Sequence, residues 1–134
     1  MVAGELFEHV PDLGGVVAEA CRVLRTGGLL VADTIADTGL ARLVAIRLAE
    51  LVVPAARGIH DPCLLVDPAR LVRLCAQQGV DLAVRGVRPE VTGLLRWLVD
   101  RRHVARIVPT WTTAVLYQAH GVKGRSPIDA TEAP

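Results

Sequence analysis

Apolar positions recur along the first third of the chain in two different periods. Over residues 13–25, LGGVVAEACRVLR, Val16, Val17, Ala20, Val23 and Leu24 share one face at helical spacing, while Glu19, Arg22 and Arg25 fall elsewhere. Asp12 stands where an N-cap belongs. The TGG at 26–28 ends this helix, and LLVADTI at 29–35 is a continuous apolar run leading into Asp33 and Thr34, as expected of a buried parallel strand. Helix, glycine turn and strand make an α/β rhythm.

The remaining chain continues in the same manner. From about Thr38 to Val53, Arg42, Arg47 and Glu50 occupy an arc of roughly 140° at 100° per residue, which leaves a wide apolar surface. Pro54 closes that helix. RGIHDPCLLV at 57–66 reads as a loop. DPARLVRLCAQQG at 67–79 is the best-punctuated helix, with Asp67 as N-cap, Pro68 at the first helical position and Gly79 as the stop. VDLAVRGVRP alternates as a strand, GLLRWLVDRRHVAR is a basic amphipathic helical segment, and TTAVLYQAHGV is β-branched and aromatic enough for a last strand. The count is about three good strands and four helical segments without an internal repeat. The domain is expected to span 1–123, with 124–134 a disordered tail.

Composition narrows the class. A chain of 134 residues fits one domain, and 51% hydrophobic with only 3% aromatic means a core of Leu, Val, Ile and Ala. The net charge of +1 gives no global reason to expect nucleic acid or an anionic membrane, and the RWLVDRRHVAR run reads as a solvated helix face. Three cysteines at spacings that form neither a CxxC pair nor a disulfide framework suggest a reducing cytoplasm; Cys21 and Cys75 fall within helix patterns as small buried residues. No basic stretch followed by an apolar run marks a signal peptide. LARLVAIRLAELVV is interrupted by Arg42, Arg47 and Glu50 and falls short of a bilayer span. Its apolar surface suits core or subunit packing before it suits a lid over a lipophilic acceptor or contact with a membrane surface.

GELFEHV concentrates chemistry: Glu5, Glu8 and His9 place two carboxylates and an imidazole within five residues. Acidic residues ahead of a helix also favour its N-terminal dipole, and a histidine there can cap or pack, so a metal cluster and a helix start both remain open. Taken together, GELFEHVPDLGGVVAEACRVLRTGGLLVADTI, the RGIHD loop and the closing LYQAHGVK resemble the C-terminal half of class I S-adenosylmethionine-dependent methyltransferases, above all the ubiquinone-biosynthesis O-methyltransferase group. The resemblance covers roughly residues 3–123.

The resemblance implies a partial Rossmann-like α/β methyltransferase fold: the later strands of a seven-stranded sheet with flanking helices, the first strands missing. Residues 1–3 would end strand four, 29–35 would be strand five, and a hairpin-like pair near 82–88 and 112–119 would complete the sheet. It further implies S-adenosylmethionine as cofactor with Gly4 lining its site, a divalent metal such as Mg²⁺ held by Glu5, Glu8 and His9, and a small-molecule methyl acceptor of phenolic or quinol type. His60, beside Asp61 in the loop, would be the general base. No GxGxG turn occurs in the sequence, so the isolated chain is expected to bind the cofactor poorly. The rival reading is an interaction module that pairs through an exposed strand edge with a second copy or a complementary chain. Three positions depart from the family pattern: Thr26 replaces a proline, and Ala36 with Asp37 replaces an Asn-Arg pair beside the acceptor mouth.

Overall fold

The computed structural model describes residues 1–53 and 58–124; Pro54 and the tail from 125 onward lie outside the described residues. Five strands form one sheet: β1 (Val2–Gly4), β2 (Leu29–Ile35), β3 (Val80–Pro89), β4 (Ile107–Thr110) and β5 (Leu116–Lys123), in the order β1-β2-β5-β3-β4. β1 and β2 are parallel, with Ala3 opposite Ala32, and the intervening helix α1 (Leu13–Val23) makes the crossover that parallel neighbours require. The other pairings are antiparallel: Leu29↔Val122 to Ile35↔Leu116 between β2 and β5, and Val80↔Lys123 to Val87↔Leu116 between β3 and β5. The expected pair near 82–88 and 112–119 is thus present as β3 and β5, antiparallel neighbours with β4 between them in the chain.

α1 starts where its cap permits. The Asp12 carboxylate accepts the Gly15 N–H at 2.9 Å, satisfying a donor that the first turn leaves free. The helix then buries Leu13, Val17, Ala20 and Cys21. Val23, expected on that face, is 55% exposed, because the chain turns extended at Leu24 and carries that side chain inward instead.

Two shorter helical pieces follow β2. Thr38 caps α2 (Gly39–Ala41) by accepting the Ala41 N–H, a π-helical stretch covers Arg42–Leu48, and α3 (Ala49–Val52) completes the segment. The continuous α-helix expected there is replaced in its middle by wider turns. α4 (Pro68–Gln77) follows the sequence closely: the Asp67 carboxylate accepts from Ala69 and Arg70, and Gly79 takes φ +75° just past the end.

The sheet separates two apolar clusters. On one side Val17, Cys21, Leu71 and Cys75 from α1 and α4 meet Leu30, Ala32, Leu82, Tyr117 and Ala119 from the strands. The smaller cluster joins Ile35 at the end of β2 to Ala41, Ile46 and Leu65. The Tyr117 hydroxyl is buried and donates to the Val66 carbonyl at 3.2 Å; burial first, then the nearby Asp67 and Glu8 charges, push its pKa well above the ordinary phenol range.

Three expectations change at the far end of the sheet. The helix expected over 93–106 is α5 (Val91–Val99), ended by Asp100, whose extended backbone and side chain form a turn that accepts the Arg102 N–H. β4 was not expected: it is short, contains Pro109 and pairs only with β3, the edge position where proline is tolerated. β5 begins at Leu116, not Thr112, because the preceding residues bond sideways, Thr38 Oγ1 to the Ala114 carbonyl and the Ala36 N–H to the Val115 carbonyl.

The cysteines differ sharply in environment. Cys21 and Cys75 are buried against each other and Cys63 is exposed; burial, followed by the neighbouring Cys21, holds the Cys75 thiol up at about 12. Because the thiolate is the reactive form, one thiol per chain is expected to react promptly with a colorimetric disulfide reagent in the native protein and three in denaturant. Rapid reaction of all three in the native state would contradict this packing.

Candidate functional site

β1 and β2 end side by side, and the carboxyl ends of parallel strands are where open α/β sheets place ligands. The chain leaves β1 at Gly4 and turns sharply at Glu5, whose φ of +45° is unfavourable for a non-glycine residue. The turn is held by Asp33: the Glu5 N–H lies 3.2 Å from the Asp33 carbonyl oxygen and 3.0 Å from its Oδ1. A side chain at Gly4 would press against that same carboxylate, its Cβ 3.2 Å from Oδ1. Strain over-determined by its surroundings in this way is typical of functional turns.

The 3₁₀ turn Phe7–His9 then drives Phe7 into the core and carries Glu8 with it to full burial. Thr34 Oγ1 donates to Glu8 Oε2 at 2.5 Å, whereas Glu8 Oε1 is buried without a hydrogen-bond partner. A buried carboxylate oxygen without a donor is costly, by roughly 1–3 kcal/mol or more, so it marks a place where a further group fits. Glu5 and Glu8 do not supply the first turn of α1; Glu8 lies instead in the 3₁₀ turn that precedes it. α1 begins at Leu13 and is capped by Asp12, well past Glu5 and Glu8.

His60 arrives from the loop between α3 and α4. Asp61 shapes that loop, its carboxylate accepting the Cys63 N–H and its carbonyl the Leu64 N–H. Val66 fastens the loop to the end of β2 through a parallel bridge to Ala36. The His9 and His60 rings are stacked, with centroids 5.2 Å apart and 27° between planes. One ligand atom from each of Glu8, His9 and His60 lies within 4.8 Å of the others.

The sequence-derived residues therefore divide. Glu8 and His9 come together, and His60, proposed separately as a base, joins them. Glu5 stands outside that group and lines a cavity of about 100 Å³ with Glu8 and Asp33 on one side and Val87, Ile107 and Leu116 on the other. Gly4 lies at the strand end beside Asp33. Of the two departures near the mouth, Ala36 is buried and the Asp37 carboxylate is bound by Arg42 at 2.6 Å. Sequence reasoning gave no role to Thr34 or Asp33; the available signal was a polar pair closing an otherwise apolar strand.

The chain has the fold of S-adenosylmethionine-dependent methyltransferases: it superposes on such an enzyme from Thermotoga maritima with a TM-score of 0.58 at 14% identity, covering 91% of this chain and 54% of that one. Sequence then names nearer relatives. The chain is 36% identical over 80 residues to the ubiquinone biosynthesis O-methyltransferase of Aromatoleum aromaticum and 39% identical over 80 residues to that of Methylococcus capsulatus, in both cases 59% of this chain and 34% of the relative. It spans about a third of the length of the curated relatives it matches. No protein-family model matches the chain. Among the described residues, no helix is long and apolar enough to cross a membrane.

Proposed function

We propose that this chain supplies the acceptor side of an S-adenosylmethionine-dependent O-methyltransferase site acting on a small phenolic or quinol-like molecule. The observation that carries the reading is the fully buried Glu8, whose Oε1 lacks a donor beside two imidazoles at the carboxyl ends of β1 and β2. The residues fit a divalent ion: a carboxylate oxygen and imidazole nitrogens converge, and the carboxylate is braced by Thr34. Glu8 and His9 would hold it. When bound, such an ion lowers the pKa of an acceptor hydroxyl and orients its oxygen for attack.

The chain's own residues contribute the rest. Val87, Ile107 and Leu116 offer an apolar wall against an aromatic ring, and Glu5 and Asp33 offer carboxylates to ring hydroxyls. Gly4, at the end of β1, would face the methyl donor. S-adenosylmethionine, when bound, would supply the methyl group and leave as the neutral thioether, and the acceptor's hydroxyl proton would pass to solvent on the exposed His9 side.

Calorimetry with catechol tests this reading. Catechol is expected to bind in the presence of Mn²⁺ and to lose at least about tenfold in affinity when the ion is chelated, with anisole, which lacks a free hydroxyl, binding more weakly than catechol under both conditions. Equal binding of catechol with and without the ion, or none at all, would overturn it.

A further inference from the structure

Resting on the metal reading above, we propose that His60 is the third protein ligand of the ion, so that the site is Glu8, His9 and His60, and that it takes a transition-series divalent ion such as Mn²⁺ or Zn²⁺ in preference to Mg²⁺. Three observations converge. Glu8 is fully buried with one oxygen engaged by Thr34 and the other unpartnered. The His9 and His60 rings are stacked, one exposed and one half-buried, which brings two imidazoles to the same carboxylate. The three side chains each present a ligand atom within 4.8 Å of the others, and Glu5 is not among them.

The donor set decides the ion. Mg²⁺ strongly prefers oxygen ligands and retains its waters, whereas two imidazoles with one carboxylate suit Zn²⁺, Mn²⁺ and other transition-series ions. Zinc sites built from two histidines and a glutamate leave a coordination position open for water or substrate. The assignment also changes the role of His60. A ring nitrogen bound to a cation cannot accept the acceptor's proton, so His60 serves the site by binding, and its loop becomes part of the mouth. That loop is already anchored at Val66 and shaped by Asp61, so His60 enters at low conformational cost.

The full chain, freed of metal, is titrated with Zn²⁺, Mn²⁺ and Mg²⁺ by calorimetry and with Co²⁺ by visible absorption. Wild type is expected to bind Zn²⁺ and Mn²⁺ at least tenfold more tightly than Mg²⁺. His60→Ala and His9→Ala are each expected to lose tenfold or more for Zn²⁺ and to change the Co²⁺ spectrum, His60→Asp to recover much of the affinity, and Glu5→Gln to leave the Co²⁺ spectrum as in wild type. Melting of each metal-free variant verifies folding. If His9→Ala weakens binding and His60→Ala does not, or if Glu5→Gln alters the Co²⁺ spectrum, the ligand set proposed here is wrong while the metal reading survives. If wild type binds none of these ions, both fail.

Discussion

Replacing Gly121 by alanine is expected to destabilise the fold by about 3 kcal/mol or more, at the upper end of what overpacking costs. Gly121 sits in β5, the strand between β2 and β3, opposite Leu30 on one side and Leu82 on the other. A methyl group there would overlap the Asp81 carbonyl oxygen and lie 2.9 Å from its carbon and 3.0 Å from Leu82 Cα. These are backbone atoms of a paired strand, so relief requires β3 to move and the ladder with it. Gly79 is the control. It has φ +75° and nothing within 4 Å of the added carbon, so Gly79→Ala is expected to cost only about 1 kcal/mol, through backbone conformation alone. Urea denaturation of both variants measures the difference, and equal costs would show that the close approach of β3 and β5 is not a constraint.

Glu8→Gln is expected to move stability and metal binding in opposite directions. The side chain keeps its volume and an oxygen that can accept from Thr34, but the buried carboxylate with its unpartnered Oε1 is removed. Metal-free protein is expected to gain about 1 kcal/mol, because an uncompensated buried charge is more costly than a neutral amide in the same place. Affinity for Zn²⁺ or Mn²⁺ is expected to fall about 100-fold or more, since even the loss of an outer partner of a metal ligand costs 10–100-fold. Thermal melts and calorimetry on the same preparation read both effects. A variant that loses stability while binding metal as wild type does would make Glu8 a structural residue only. The trade is physically sensible: a site that must attract a cation is held at some cost to the empty fold.

Asp12, Asp67, Pro68 and Gly79 announce helix ends because capping bonds reach only two or three residues along the chain. β2 is legible because the apolar run Leu29–Ala32 follows a glycine turn, and the strand buries Leu30, Ala32, Thr34 and Ile35. β4 is not, being four residues at an edge with a proline among them. The π-helical stretch over Arg42–Leu48 has the same apolar spacing as an α-helix at this length, so periodicity alone reads it as one helix. The missing site partners have a similar explanation. Thr34 meets Glu8 through the parallel register of β1 and β2, and no local pattern states which polar side chain ends up beside which.

What the sequence determined by itself was the alternation of helices and strands, the caps, the apolar core stripe and the chemistry gathered in Glu5, Glu8 and His9. The tertiary structure alone decided which of these residues act together. It buried Glu8 with one oxygen unpaired, turned Glu5 toward a cavity and brought His60 from a distant loop onto His9. The physical reason is range. Capping and amphipathic periodicity are interactions between near neighbours in the chain, written in adjacent residues. A ligand cluster depends on strand register and loop path, and these are set only when the two sides of the sheet pack.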